Sequence, residues 1–378
     1  MSGAEANDNR VSGRPHEWLT RNEQERVTER STVEAYRALT VHYAFYLFTL
    51  FGALAPIPLF ANLFFAVLNG LAIGLLFIIG HDCIHNAYAP GRRANQVMAR
   101  LAFIPCAHSA SQWEVVHNRN HHGKTNFKPV DYVWAPLDKT EYDAASPARR
   151  FLERFYRSAW GPLVYYYVEF WLRRLIVPAT QEMRAQWRRH LPDSIFIILM
   201  LITTITAILF FSKWVNPDRT LMAAFAIGWF LPFAVWNYLV ALSVYLHHIH
   251  PKIHWFDDAK EWSFYRGSIA GATDVELPLS WSELYSAVMR HTAHHALPSV
   301  PIYRLENAQE LLAGHYGDAV ISYKFSISEY AKILRACKLY DFDRHCWTDF
   351  EGRPTGPMLQ PKAKPETQPS QESRRRSV

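Results

Sequence analysis

The sequence predicts an all-α integral membrane protein with four transmembrane helices in two hairpins, capped by a helical cytoplasmic domain. Three observations predict it. Residues 43–80 hold no Lys, Arg, Asp or Glu, which is room for two spans when each needs about 20 apolar residues. Two further charge-free runs, 194–211 and 221–246, are joined by a short polar link containing Asn216-Pro217-Asp218. With four spans, 38 of the 40 Lys and Arg residues lie on one side, and only Lys213 and Arg219 fall in links on the other. By the positive-inside rule the larger side, with both termini, is cytoplasmic.

Along the chain, residues 1–40 form a polar arm, expected to be flexible or surface-lying. The arm shows no apolar signal-peptide core, so the first span is expected to act as an uncleaved anchor. That span covers residues 41–55. Ala55-Pro56-Ile57-Pro58 then makes the turn, because proline removes a donor and disfavours helix in the residue before it. The second span covers 59–80. Both are short for a bilayer and are expected to continue as helix into the aqueous side. Residues 97–107 are apolar but too short to cross. Residues 159–179 are aromatic yet contain Glu169, Arg173 and Arg174, the character of a helix lying in the interface. After the spans at 194–211 and 221–246 nothing is long and apolar enough to cross. Residues 326–352 form a C-terminal cytoplasmic segment. Residues 353–378, with prolines at 354, 357, 361, 365 and 369, read as a disordered tail.

The net charge of +6 and pI near 9.0 raise the question of nucleic acid. No compact basic helix or aromatic-basic motif supports it, and basic residues flanking membrane spans explain the charge. Cys83, Cys106, Cys337 and Cys346 form no C-x-x-C pair and no disulfide framework, which fits a reducing compartment.

Histidines cluster in four places: His81 and His85 directly after the second span; His117, His121 and His122; His247, His248 and His250 directly after the fourth; and His291, His294 and His295. On a helix, residues three or four apart share a face, so each cluster can present two or three imidazoles to one point. No span separates the first cluster from the second, or the third from the fourth. The hairpin of spans three and four returns the third cluster to the same membrane surface. Neutral imidazole suits iron, zinc and copper, and eight or more histidines imply two metals. Carboxylates near the clusters are few. Asp82, Glu114, Asp131 and Asp274 are expected to orient imidazoles. In the third cluster any one of the three histidines could be the ligand. His16, His42, His108, His190, His254, His315 and His345 read as structural, and Cys83 as packing.

These residues resemble the histidine boxes of the membrane fatty acid desaturases. They stand here as H-x(3)-H, H-x(3)-H-H and H-x(2)-H-H, in the family's order and with similar gaps. His81-Asp82-Cys83 with His85 is similar to the first box of the delta-12 (omega-6) acyl-lipid branch. His248-Ile249-His250-Pro251 is similar to that branch's segment after the last span, and the run from Tyr245 to Tyr303 resembles it nearly throughout. Residues 41–325 would be the desaturase domain. The resemblance implies two Fe ions as cofactor, dioxygen as oxidant and a lipid acyl chain as substrate. Carried over residue by residue, the ligands are His81, His85, His117, His121, His122, His291, His294 and His295, with His248 as the additional one. Ile84, Ile249 and Ile302 depart from the branch's usual glycine, threonine and histidine.

The implied function is an oxygen-dependent desaturase that introduces a cis double bond into a membrane lipid acyl chain. An unactivated methylene has no acidic proton, so the hard chemistry falls to the metals. The protein's share is to hold a bent, dry acyl tunnel. Trp113, Trp134, Tyr165, Trp236 and Tyr238 are candidates for it, although interfacial belt or core packing explains any single one as well. No cytochrome-like H-P-G-G segment is present, so a separate electron donor, a ferredoxin or a cytochrome-type protein, is expected. The alternatives are a di-iron hydroxylase or ketolase of a lipid or carotenoid, and a non-catalytic membrane metal-binding or transport protein. Transport predicts ionisable residues inside the spans, and the four spans contain no Asp, Glu, Lys or Arg. With no endoplasmic-reticulum retrieval signal at the end of the sequence, a bacterial inner membrane is the expected location.

Overall fold

The structure is a computed structural model that describes residues 14–176, 181–278 and 282–358. Among the described residues, three helices are long and apolar enough to cross a membrane: Leu59–Ile84, Trp187–Val215 and Leu221–His248. They contain the predicted runs 59–80, 194–211 and 221–246 and extend beyond them into the cap, as the short runs require. The expected first span, 41–55, lies on the helix Thr32–Leu54. Glu34 and Arg37 in its first turns dilute its apolar character, and it falls short of the other three.

Leu59–Ile84 is the central helix. It packs along Thr32–Leu54, along the last part of Leu221–His248 and against Arg92–Phe103. Buried amides fix the first contact. The Asn62 side chain donates to the Gly52 and Ala55 carbonyls, both at 3.0 Å, and Asn69 donates to the Tyr46 carbonyl at 2.8 Å. Gly52 lets the Phe65 ring reach the backbone, since a Cβ there would overlap it. At the end remote from the histidines, Arg219 donates to the Leu54 carbonyl at 2.7 Å and the Ala55 carbonyl at 3.1 Å. A cation at a helix C-terminus satisfies orphan carbonyls and complements the helix dipole. One of the two basic residues assigned to the far side thus ties the two hairpin turns together. Trp187–Val215 stands apart, with only 17% of its most apolar window buried.

The cap departs from the all-α expectation in two small places. Thr273–Glu276 pairs in parallel with Ile321–Lys324, and Leu339–Asp341 pairs antiparallel with Cys346–Thr348. Strands of three or four residues leave no periodicity to read in the sequence. The segment 159–179 is helical over Gly161–Tyr165 and continues as a wide, π-type helix over Tyr166–Leu175; residues 177–180 lie outside the described part. Its Glu169 is satisfied by Arg149 at 2.8 Å and Arg173 at 2.9 Å.

The N-terminal arm lies on the cap surface and is anchored there from residue 14 onward. Thr20 and Glu23 cap the helix Arg21–Thr28. Leu19 and Val27 are buried in a cluster with Ala293, Ala296, Leu305 and Leu312. Trp18 stacks on His315 at 3.9 Å and donates to the Tyr316 hydroxyl. Of the expected disordered tail, residues 353–358 are described. Thr355 pairs with Trp347, its N–H donating to the Trp347 carbonyl at 2.8 Å. Residues 359–378 lie outside the described part, as do residues 1–13.

Candidate metal centre

Four elements converge at the cap-side end of the central helix. His81 occupies its last turn and His85 its C-cap. The chain there sits close to Arg92–Phe103, because Gly80 admits the Phe103 ring where a Cβ would overlap it. The second cluster lies on a π-type helix, Glu114–His121, where the His122 N–H donates to the His117 carbonyl. His248 ends the Leu221–His248 helix, and the short helix His291–Ala296 carries the last three histidines.

The nine expected histidines fall into two groups. His81, His85, His117, His122 and His294 form one, and His121, His248, His291 and His295 form the other. Within each, one ring nitrogen per residue lies within 4.8 Å of all the others. The groups adjoin, with His122 stacked on His295 at 4.2 Å.

This corrects the expectation that each cluster points at one place. An α-helical spacing puts His117 and His121 on one face. The wide turn instead sets His117 Nε2 3.1 Å from His122 Nε2 and sends His121 to the other group. Local widening of this kind recurs at functional sites. The last cluster is divided too: His291 and His295, one α-turn apart, face each other with Nε2 atoms at 3.0 Å, and His294 joins the first group.

The ring nitrogens test whether a metal fits. His291 Nε2 faces two other Nε2 atoms, those of His248 and His295, each at 3.0 Å. A neutral imidazole carries one N–H, so hydrogen bonds alone cannot satisfy three converging nitrogens. In the second group the opposite nitrogens of His121, His248 and His295 have partners, while His291 Nδ1 is buried without one. His121 Nδ1 lies 3.0 Å from the buried Asp131 carboxylate, His248 Nδ1 3.3 Å from the Gly271 carbonyl, and His295 Nδ1 3.1 Å from the Thr125 hydroxyl. Thr125 donates to the His121 carbonyl and so can accept from His295. Protons held on Nδ1 leave Nε2 lone pairs facing inward, the usual arrangement around a ligated metal. In the first group, His81 Nδ1, His85 Nε2, His122 Nδ1 and His294 Nε2 are buried without a hydrogen-bond partner. An all-nitrogen donor set fits a first-row transition ion and not calcium or magnesium.

Burial, reinforced by neighbouring imidazoles, pushes His85, His117, His122, His291, His294 and His295 well below the ordinary imidazole range. They are neutral near pH 7, the form that ligates.

The expected orienting carboxylates behave differently from one another. Asp131 contacts an imidazole and also accepts from the N–H groups of Asn126 at 2.9 Å and Val133 at 3.0 Å. Asp82 instead accepts from the Ile302 N–H at 2.8 Å, and Asp274 from the Thr292 N–H at 2.9 Å. They hold backbone beside the last cluster, and burial raises the Asp274 carboxyl to about 6. Glu114 pairs with Arg189 at 2.8 Å, on the rim. His247 belongs to neither group; it stacks on His291 at 3.8 Å and approaches the Met289 sulfur at 3.3 Å. His250 stacks on Tyr323. Thr125 and the Gly271 carbonyl were not foreseen. Thr125 stands one helical turn after His121, which is the signal that could have found it.

An apolar cavity leads to the histidines. It runs between the central helix and the last part of Leu221–His248, from Leu71 and Gly74 toward His81, His117, His121, His247 and His291. Trp113, Trp134, Tyr165 and Trp236 line it, while Tyr238 does not and instead donates to the Ala159 carbonyl. Trp134 is fixed there: its N–H donates to the Tyr165 hydroxyl at 2.6 Å, its indole N–H to the Ala241 carbonyl at 3.2 Å.

Comparison with known proteins agrees with this architecture. A model of the family described as fatty acid desaturase matches residues 56–326. The chain is 26% identical over 301 residues to an sn-1 oleoyl-lipid 12-desaturase of Picosynechococcus sp., covering 78% of this chain and 80% of that one. It is 24% identical over 277 residues to a chloroplastic omega-6 fatty acid desaturase of Spinacia oleracea, covering 73% of this chain but only 58% of that longer protein. It is also 24% identical over 260 residues to a Synechocystis sn-1 acyl-lipid omega-3 desaturase (ferredoxin), covering 67% and 68%. The chain belongs to the fatty acid desaturase family and is an oxidoreductase that desaturates lipid acyl chains.

Proposed function

We propose that this protein introduces a cis double bond into the acyl chain of a membrane lipid, with two irons held by the nine grouped histidines. The observation that carries the reading is the apolar cavity that ends on His81, His117, His121 and His291. Two irons held there would supply, with dioxygen and two external electrons, the oxidising power that an unactivated methylene demands. The chain's own residues do the rest. Phe77, Ile78, Val240 and Val244 keep the cavity dry and hold an acyl chain beside the histidines, so that positioning supplies part of the rate. Trp113, stacked on His117, and Asp131, bonded to His121, fix the rings that face the substrate.

The likeness to an oleoyl-lipid 12-desaturase favours a glycerolipid-bound oleoyl chain as substrate. The likeness to a desaturase with ferredoxin in its name favours a separate small electron carrier. Thr32–Leu54 acts as a fourth span in this reading, which places both termini and the histidines on the cytoplasmic side of a bacterial inner membrane. The distribution of basic residues supports that orientation. Reporter fusions that put the C-terminus outside would overturn it.

The test is product analysis after expression in a host that makes only monounsaturated lipids. A new diunsaturated chain is expected. A hydroxylated chain, or unchanged lipids with the protein fully loaded with metal, would contradict the reading.

A further inference from the structure

A second apolar pocket lies beside the last turns of Leu221–His248. Leu242, Leu246, Leu277 and Phe325 line it. The helix divides its residues between the two spaces, with Leu242 and Leu246 on the outer pocket and Ser243, Val244 and His247 on the inner cavity. The short helix Glu283–Val288 and the residue after it do the same, with Val288 inside and Met289 outside. Tyr285 is the side chain that borders both. Its hydroxyl and that of Ser243 share a hydrogen bond of 2.7 Å. The wall between the two spaces is therefore closed in part by this polar contact. Such a bond contributes only about 0.5–1.5 kcal/mol net.

The position bears on how substrate arrives. Leu246 lies two residues before His248, at the cap end of the helix, and Leu242 one turn deeper. The outer pocket thus sits at the cap end of a helix long and apolar enough to cross a bilayer. A chain esterified to a membrane lipid cannot detour through water, since exposing it costs about 0.8 kcal/mol per methylene. It needs an apolar path from the bilayer edge to the inner cavity, and the two pockets meet at Tyr285.

We propose that the acyl chain of a bilayer lipid reaches the inner cavity through the outer pocket, with Tyr285 as the positioning residue that swings away from Ser243 to admit it. This rests on the acyl-lipid reading given above. The test uses iron-loaded protein in dioleoyl phosphatidylglycerol vesicles with a reduced ferredoxin. Leu277→Trp and Leu242→Trp fill the outer pocket without touching a histidine. Each is expected to lower kcat/KM about tenfold with iron content retained, by raising KM more than it lowers kcat. Ile202→Trp, on the exposed face of Trp187–Val215, is expected to match the wild type. Tyr285→Phe removes only the hydroxyl and is expected to lower KM with kcat kept. Undiminished kcat/KM in either iron-retaining tryptophan variant, or an unchanged KM in Tyr285→Phe, overturns the proposal. A wild-type protein that desaturates no vesicle lipid defeats the underlying reading instead.

Discussion

His121 Nδ1 lies 3.0 Å from the Asp131 carboxylate, and both groups are buried. The contact holds the His121 proton on Nδ1 and leaves Nε2 free toward His248, His291 and His295.

Asp131→Asn keeps the shape of this contact and removes its charge. Asn126 and Val133 donate to different oxygens of Asp131, so asparagine, with one carbonyl oxygen, keeps only one of these two contacts, and iron is compared in protein shown to remain folded. Loss of such an orienting partner typically costs roughly 10- to 100-fold in metal affinity. We expect a drop of that size for one of two irons in a chelator competition titration. Asp82→Asn, whose partner is the Ile302 N–H, should retain both irons. Equal iron retention by the two variants would remove Asp131 from its role.

His248→Ala is expected to cost about one iron per chain and nearly all turnover, since one of four converging nitrogens is lost. His247→Ala and His250→Ala should retain iron, with His247→Ala the less active of the two because its ring supports His291 by stacking. Iron analysis of the three variants checks this. Full occupancy in His248→Ala with loss in His247→Ala would shift the assignment by one residue.

Gly74 faces the inner cavity, and a Cβ there would meet Trp236 at an ordinary 3.7 Å. Gly74→Ala should therefore be close to wild type. Gly74→Leu should fill the space, lower turnover of an oleoyl chain several-fold and favour shorter chains, with iron retained. A wild-type chain-length profile in Gly74→Leu would mean the acyl chain does not run past this helix.

Val27 is fully buried between the N-terminal arm and the helix that carries His291, His294 and His295. Val27→Asp buries an unpaired carboxylate there, at a cost of order several kcal/mol. The arm should detach, and proteolysis near residue 30 should accelerate together with loss of iron, while the protein stays in the membrane. Unchanged proteolysis would show that the arm contributes nothing to holding the cap.

Much of this was legible in the sequence because it rests on composition and spacing. Charge-free runs locate the three most apolar helices, and the histidine spacings name eight of the nine side chains that converge, with His248 added by the family resemblance. The division into two groups was not legible. It depends on the wide turn at Glu114–His121, which replaces the α-helical rule placing His117 and His121 together. The anchoring of the arm was hidden for a similar reason. Val27 and Leu19 are isolated apolar residues in a charged stretch, and only the cap supplies their partners. Asp82 is adjacent to His81 in sequence, yet it bonds to backbone 220 residues away, and Asp274, distant in sequence from every histidine, bonds to backbone 18 residues away, which no spacing rule reports.

The central claim is that two ions are held by two adjoining sets of imidazoles. Metal analysis of the purified, active protein tests it most directly. We predict two irons per chain, lost together with activity on chelation and restored with it by ferrous iron. One zinc and no iron in a preparation that still desaturates lipid would contradict the account.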